Sequence, residues 1–208
     1  MSSIARGIKL IELIPPLPTI SVQQFHDHWR HPYGTMAMNL RMIGRYIQGH
    51  RIESDLIEPN LTIFEGAAEA WLDSFSTVES IFSYPYYVEH SRDDEGLRAD
   101  SENLVILLTH EEVIQGSRFA PGADRHDADW SDNHRGTWIK LLQSIHTDES
   151  WSREDDTELG YRIGAFRHVR NHRCVGSEQY VGVRELSWPT LTGFERGMKA
   201  DPPKLLRV

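Results

Sequence analysis

Cysteine is almost missing from this chain: Cys174 stands alone, so no internal disulfide can form, and its neighbours His172 and Arg173 complete no metal or redox spacing. It reads as a small hydrophobe. Positive charge is also short, with 22 Lys and Arg against 31 Asp and Glu and a formal net charge of −9, which removes counterion release as a source of affinity. Nucleic acid is not an expected partner. No apolar run approaches the roughly 20 residues of a membrane span, and Met1 to Ile14 lacks the parts of a signal peptide, so the expectation is a cytoplasmic protein that does not enter membranes. A Gly-rich phosphate loop and a Gly-Xaa-Ser-Xaa-Gly elbow are missing too, which sets aside phosphoryl transfer and serine hydrolysis. What is present, 39% hydrophobic and 25% charged residues over 208 positions, suits one large globular domain or two of about a hundred residues.

Gly7 to Ile14 is a β-rich apolar run closed by Pro15, Pro16 and Pro18, which cannot continue a ladder. Ser21 is an N-cap, after which Val22, Phe25 and Trp29 share one helical face until Pro32 and Gly34 reshape the helix. Ile43 to Ile52 and Leu61 to Gly66 read as the second and third strands. Phe75, Val78, Ile81 and Phe82 then repeat at helical spacing, and Tyr84 with Pro85 ends that helix. Leu104 to Leu108, apolar at every position, is a strand covered on both sides. The order β, α, β, β, α, β is that of a ferredoxin-like unit with both helices on one face of the sheet. The bare second face requires a cover.

The rest of the chain repeats the first half in the same order. Lys9, Leu10 and Ile14 are answered by Lys140, Leu141 and Ile145. Ile43, Gly44, Tyr46, His50 and Arg51 are answered, across a small insertion, by Ile163, Gly164, Phe166, His172 and Arg173. Phe64, Gly66, Glu69, Val78, Glu79 and Phe82 are answered by Tyr180, Gly182, Glu185, Phe194, Glu195 and Met198. Residues 146–160 have no apolar stripe, so the second copy's first helix is expected to be lost or reduced to an acidic loop. The division is therefore 1–117 for the first unit, 118–134 for a linker rich in Gly and Asp, and 135–208 for a reduced second unit whose final strand would be 204–208.

Phe-His-Asp-His-Trp-Arg-His-Pro (25–32), Arg-Tyr (45–46), Gly-His-Arg (49–51), Trp-Leu-Asp-Ser (71–74), Thr-His-Glu (109–111) and Glu-Val-Ile (112–114) together resemble the EthD family. That resemblance implies an α+β fold: tandem ferredoxin-like units forming a dimeric-type α+β barrel, here within one chain. Relatives in the wider superfamily include cofactor-free cyclases, decarboxylases, isomerases and monooxygenases, and also haem enzymes, so fold does not fix reaction.

Strand alternation sets Tyr46, Gln48 and His50 on one face and Arg45, Ile47 and Gly49 on the other. With Ile47 towards the helices, Tyr46 and His50 point into the barrel cavity, where His50 is an acid or base and Tyr46 orients an enol or carbonyl oxygen. His110 at the end of the fourth strand, His146 and His168 in the second copy, and His28 and His31, which share a helical face, are the supporting candidates. Trp29, Gln48, Phe64, Glu65, Trp138 and Phe166 are the expected substrate contacts. His26, His28 and His31 lie close in sequence but match no zinc spacing, so no metal is expected. The expected function is cofactor-independent proton transfer, by decarboxylation, cyclisation, dehydration or isomerisation, on a small apolar cyclic or polyketide-like oxygenated compound, so the expected partner is a small apolar or aromatic substrate. The competing readings are a non-catalytic barrel that binds a hydrophobic ligand, a cofactor-free monooxygenase and a haem protein. A homo-oligomer is expected, because the shortened second helix layer leaves sheet uncovered.

Overall fold

The computed structural model describes residues 3–4, 7–57, 62–115, 138–146 and 157–200. The chain forms two compact units, one of Arg6–Thr109 with Cys174–Ser177, the other of Met1–Ala5, His110–Arg173 and Glu178–Val208. The sequence-derived linker at 118–134 and final strand at 204–208 lie outside the described residues.

After the two-residue strand β1 (Ser3–Ile4), the first unit contains β2 (Ile8–Ile14), α1 (Val22–His28), α2 (Gly34–Met38), β3 (Arg45–His50), β4 (Gly66–Leu72), α3 (Phe75–Ser83), α4 (Arg92–Glu95) and the start of β5 (Val105–Gln115). Its strands run in the order β3, β4, β2, β5 with antiparallel neighbours, the ferredoxin-like arrangement. Ser21 caps α1 through a reciprocal pair: its hydroxyl accepts from Gln24 N at 3.1 Å and its own N–H donates to Gln24 Oε1 at 2.8 Å. Helical geometry breaks at His31 (φ −145°, ψ 127°), as the residue before a proline is pushed towards extended backbone. His28 and His31 therefore do not share a continuous helical face.

The third strand was expected at Leu61–Gly66 and instead runs from Gly66 to Leu72. Its sequence, Gly-Ala-Ala-Glu-Ala-Trp-Leu, has little intrinsic β preference, and its place in the sheet is decided by packing. A Cβ at Gly66 would sit 2.4 Å from the ring of Trp29, so the small residue is what lets the helix layer close on the strand. Leu10, Ala70 and Leu72 pack with Val78, Ile81 and Tyr87, while Ile14 and Ala68 pack with Phe25, Trp29, Tyr33 and Ala37. The opposite face carries Lys9 and Glu69, each 1% exposed and 2.7 Å apart, with Lys9 Nζ 4.4 Å above the Trp71 ring.

The second unit holds the end of β5, β6 (Ile139–Ile145), α5 (Leu159–Arg162), β7 (Arg167–Gly176), β8 (Gly182–Trp188) and α6 (Leu191–Ala200). β7, β8 and β6 are antiparallel neighbours, and β1 pairs with β5 through Ser3 and Val113. The internal repeat holds at the level of hydrogen bonds. Ile14 opposes Gly66 and Ile145 opposes Gly182. Arg51 N donates to Glu65 O, and Arg173 N donates to Val181 O, both at 3.0 Å. Lys140 pairs with Glu185 at 3.0 Å, at the positions of Lys9 and Glu69. One segment shifts by two residues: Gly44 N and Phe166 N make equivalent bonds to Trp71 O and Ser187 O, so Phe166 answers Gly44. His168, opposite Leu186, then answers Tyr46, opposite Ala70. Between β6 and β7, Leu159–Arg162 form a short helix.

Lys9 and Glu69 are each 1% exposed, so removing one member takes from the other's buried charge its partner at 2.7 Å. Lys9→Met should lower unfolding free energy by about 3–5 kcal/mol, measured by urea denaturation. Replacing both residues with apolar ones of similar volume should recover most of that loss.

Candidate functional site

The pairing of β3 with β4 reverses the expected orientation of Tyr46 and His50. Tyr46, Gln48 and His50 oppose Ala70, Ala68 and Gly66, which lie beneath the helices, and Tyr46 packs against both clusters of that layer. Ile47 instead shares the opposite face with Glu69. Both faces of β4 are buried, so apolar character at Ile47 did not identify the helix side.

His50 belongs to a compact aromatic set. Its Nδ1 is 2.9 Å from His26 Nδ1, its ring centroid is 4.6 Å from that of Trp29, and His26 Nε2 is 3.7 Å from Glu65, which also receives Arg51 at 2.8 Å. Burial, with help from His26 and Arg30, pushes His50 down to about 4, and burial also lowers His26. Two neutral imidazoles can share one hydrogen bond, one Nδ1–H donating to the other ring's lone pair. A histidine that resists protonation to about pH 4 is a poor acid near neutrality, and this pair fastens α1 to β3.

The other sequence candidates are dispersed. His28 pairs with Asp94 at 2.8 Å, exposed His31 meets Thr35 Oγ1 at 3.1 Å, and Phe64 is half-buried. His110 is exposed and lies within β5, not at its end as expected, because the strand continues to Gln115. In the second unit His146 is exposed with its ring 4.8 Å from Tyr180, Trp138 and Phe166 meet edge to face at 6.2 Å, and His168 is wholly buried with neither ring nitrogen hydrogen-bonded. Burial next to Arg184 and Arg170 pushes His168 down to about 3. Among the described residues, no group of three or more His, Cys, Asp and Glu side chains is arranged to hold a metal ion.

The strongest concentration of perturbed groups in the first unit centres on residues that the sequence reading did not single out. Glu12 shares the helix face of β2 with Leu10 and Ile14 and opposes Ala68. The residue is half-buried, and burial of its carboxyl together with the nearby Glu95 raises it to about 7 against the pull of Arg98. Glu95 accepts from Tyr33 Oη at 2.7 Å and from Tyr87 Oη at 3.0 Å. Burial, Glu12 and Glu95 raise Tyr33 well above the ordinary phenol range. Burial likewise takes Tyr46 to about 12, although Gln48 Nε2 donates to its oxygen at 3.3 Å. The guanidinium of Arg98 lies 3.8 Å from the Tyr33 ring centroid. The arrangement sets one titrating acid among buried phenols and a cation, the kind of constellation that adjusts proton affinity at reactive sites. A visible signal existed: Glu12 is a lone carboxyl in the apolar phase of Ile8, Leu10 and Ile14.

Residues 17–105 match the model of the EthD domain family. The whole chain also resembles solved structures. An anthrone oxidase-like protein, 12% identical, aligns over 98% of this chain and 81% of its own with a TM-score of 0.57. A candidate monooxygenase from Lactobacillus acidophilus NCFM, 10% identical, aligns over 94% and 82% with a TM-score of 0.51. An EthD family protein from Bacillus halodurans C-125 aligns over 49% of this chain and 95% of its own, with 15% identity and a TM-score of 0.40. No curated protein matches the sequence. At these identities the first two likenesses establish a shared fold, an α+β architecture built on ferredoxin-like units. Among the described residues, no helix is long and apolar enough to cross a membrane.

The shifted histidine gives a pH test with a fixed sign. Unfolded His50 binds a proton near 6.5 and folded His50 only near 4, so its contribution to stability is present above pH 6.5 and is lost as pH falls towards 4. His50→Gln should flatten that part of the stability curve, measured by thermal unfolding at a series of pH values.

Proposed function

We propose that this protein is a cofactor-independent enzyme that moves a proton on a small, largely apolar oxygenated compound at the helix-covered face of the sheet in its first unit. The observation that carries this reading is Glu12: it lies on the helix-covered face, its carboxyl makes no hydrogen bond to another described residue, and burial brings that carboxyl up to about 7. A carboxyl balanced between its two states at working pH can both take and return a proton, whereas an ordinary surface glutamate is almost wholly ionised there.

In this mechanism Glu12 removes a proton from the carbon beside a carbonyl, and the electron pair of that C–H bond moves to the carbonyl oxygen. The Tyr46 phenol, kept protonated by its surroundings, donates a hydrogen bond to the resulting enolate oxygen. Protonated Glu12 then returns the proton to a different carbon, which completes an isomerisation. Decarboxylation, cyclisation and dehydration can pass through the same kind of enolate. His50, the sequence-derived acid or base, becomes a positioning residue for the Trp29 side of the site.

The test uses α-proton exchange of 2-tetralone in D2O, followed by NMR. The native protein should accelerate exchange with an apparent pKa near 7, and Glu12→Gln should lose about 10²-fold of that acceleration. A carboxyl 13C titration of Glu12 should independently give the raised value. Because the folded group holds its proton more tightly than the unfolded one, its stabilising contribution is complete below pH 4.5 and disappears as pH rises through 7. An ordinary glutamate titration between 4 and 5 would overturn the assignment. Binding of 2-tetralone with no accelerated exchange would favour the non-catalytic ligand-binding reading.

A further inference from the structure

Arg98 is the least explained charge in the first unit. It is 2% exposed and is held by its backbone: its N–H donates to Glu95 O at 3.2 Å, and its carbonyl accepts from Leu17 N at 2.9 Å. The next residue, Ala99, is in the core and bridges to Pro16. The side chain therefore cannot simply extend to water, as an arginine on a mobile loop would. One face of its guanidinium is covered by the Tyr33 ring at 3.8 Å. Around the edge, Nε and Nη1 are buried and have no hydrogen-bond partner.

An unpaired buried guanidinium is costly, because it loses its hydration and gains no anion in return. The two nearby acids do not neutralise it by direct contact. Glu95 has both carboxyl oxygens engaged by Tyr33 and Tyr87, and Arg98 forms no ion pair with a described carboxylate. Arg98 thus leaves two buried donors unused.

We propose that Arg98 is the anion-recognition residue of the first unit and that its ligand is an aromatic or similarly planar compound bearing a carboxylate, which lies against the free donors of Arg98. This inference rests on the reading of the Glu12 region as a ligand site and adds the charge of the compound that enters it. A carboxylate next to a phenol or enol fits both parts of the site, with the negative oxygens at Arg98 and the neutral oxygen nearer Tyr46 and Glu12.

The test compares 2-hydroxybenzoate with its uncharged counterpart 2-hydroxybenzamide by isothermal titration calorimetry on the full chain. The native protein should bind the anion at least tenfold more tightly. Arg98→Met should abolish the preference, and Arg98→Lys should keep part of it, because an ammonium retains the charge but not the planar donor geometry. Circular dichroism establishes that each variant folds. If Arg98→Met does not fold, the Nε resonance of Arg98 in the native protein decides: it should shift with the anion and not with the amide. Equal affinity for the two probes, an unchanged preference in folded Arg98→Met, an unmoved Nε resonance or no binding of the anion would overturn the proposal. Anion preference without α-proton exchange would end the catalytic reading and leave Arg98 recognition standing, and exchange without the preference would do the reverse.

Discussion

The first unit depends on how closely its helices approach β4. Gly66, Ala68 and Ala70 present almost no side chain to the helix layer, and Trp29 fills the space above Gly66 where a Cβ would collide. The small residues on one strand and the large rings on the neighbouring elements form one packing solution. It draws α1 over the sheet and brings Tyr33, Tyr46 and Glu12 into a common low-dielectric region, where burial is the largest influence on each of the three. A dry layer of this kind makes polar groups inside it responsive to one another, because little water is present to screen them.

The same desolvation acts with opposite chemical results on the two sides of this layer. It removes the charge from His26 and His50 and leaves a neutral pair that ties the helix to β3. At Glu12 it favours the neutral acid, but only enough to bring the two protonation states into balance near neutrality. Histidine begins with a proton affinity suited to physiological pH and is carried away from it, whereas glutamate begins too acidic and is carried towards it. Side-chain identity alone therefore does not give the direction in which each proton affinity moves.

Much of the architecture was legible in the sequence because it is written in local signals. Ser21 and Gln24 form the helix start, Pro85 follows the end of α3, and the spacing of Val78 and Ile81 defines the buried helix face. The repeat was legible through Lys9 with Lys140 and Glu69 with Glu185, since each pair occupies the same register. The position of β4 was not, because its alanines have weak strand preference and acquire their role only when Trp29 packs on them. The direction of Tyr46 was not legible either. Alternation separates two faces, but with apolar cover on both sides of β4 it cannot say which face meets the helices. Tyr33 lies far in sequence from Glu95 and Arg98 and becomes their neighbour only after the helix layer folds. Glu12 alone carried a local clue, its charge within an apolar strand phase.

The matching registers of the two repeats have an evolutionary consequence. Identical subunits must carry every substitution twice, whereas repeats fused in one polypeptide can change separately. Here the positions of Glu12, Tyr46, Gln48 and Ala68 are occupied in the second repeat by Gln143, His168, Arg170 and Arg184, while the buried lysine and glutamate are retained in both. The scaffold pair is thus kept in both repeats, while the position that holds an acid in the first holds an amide in the second, so the two copies are free to differ where one carries the carboxyl.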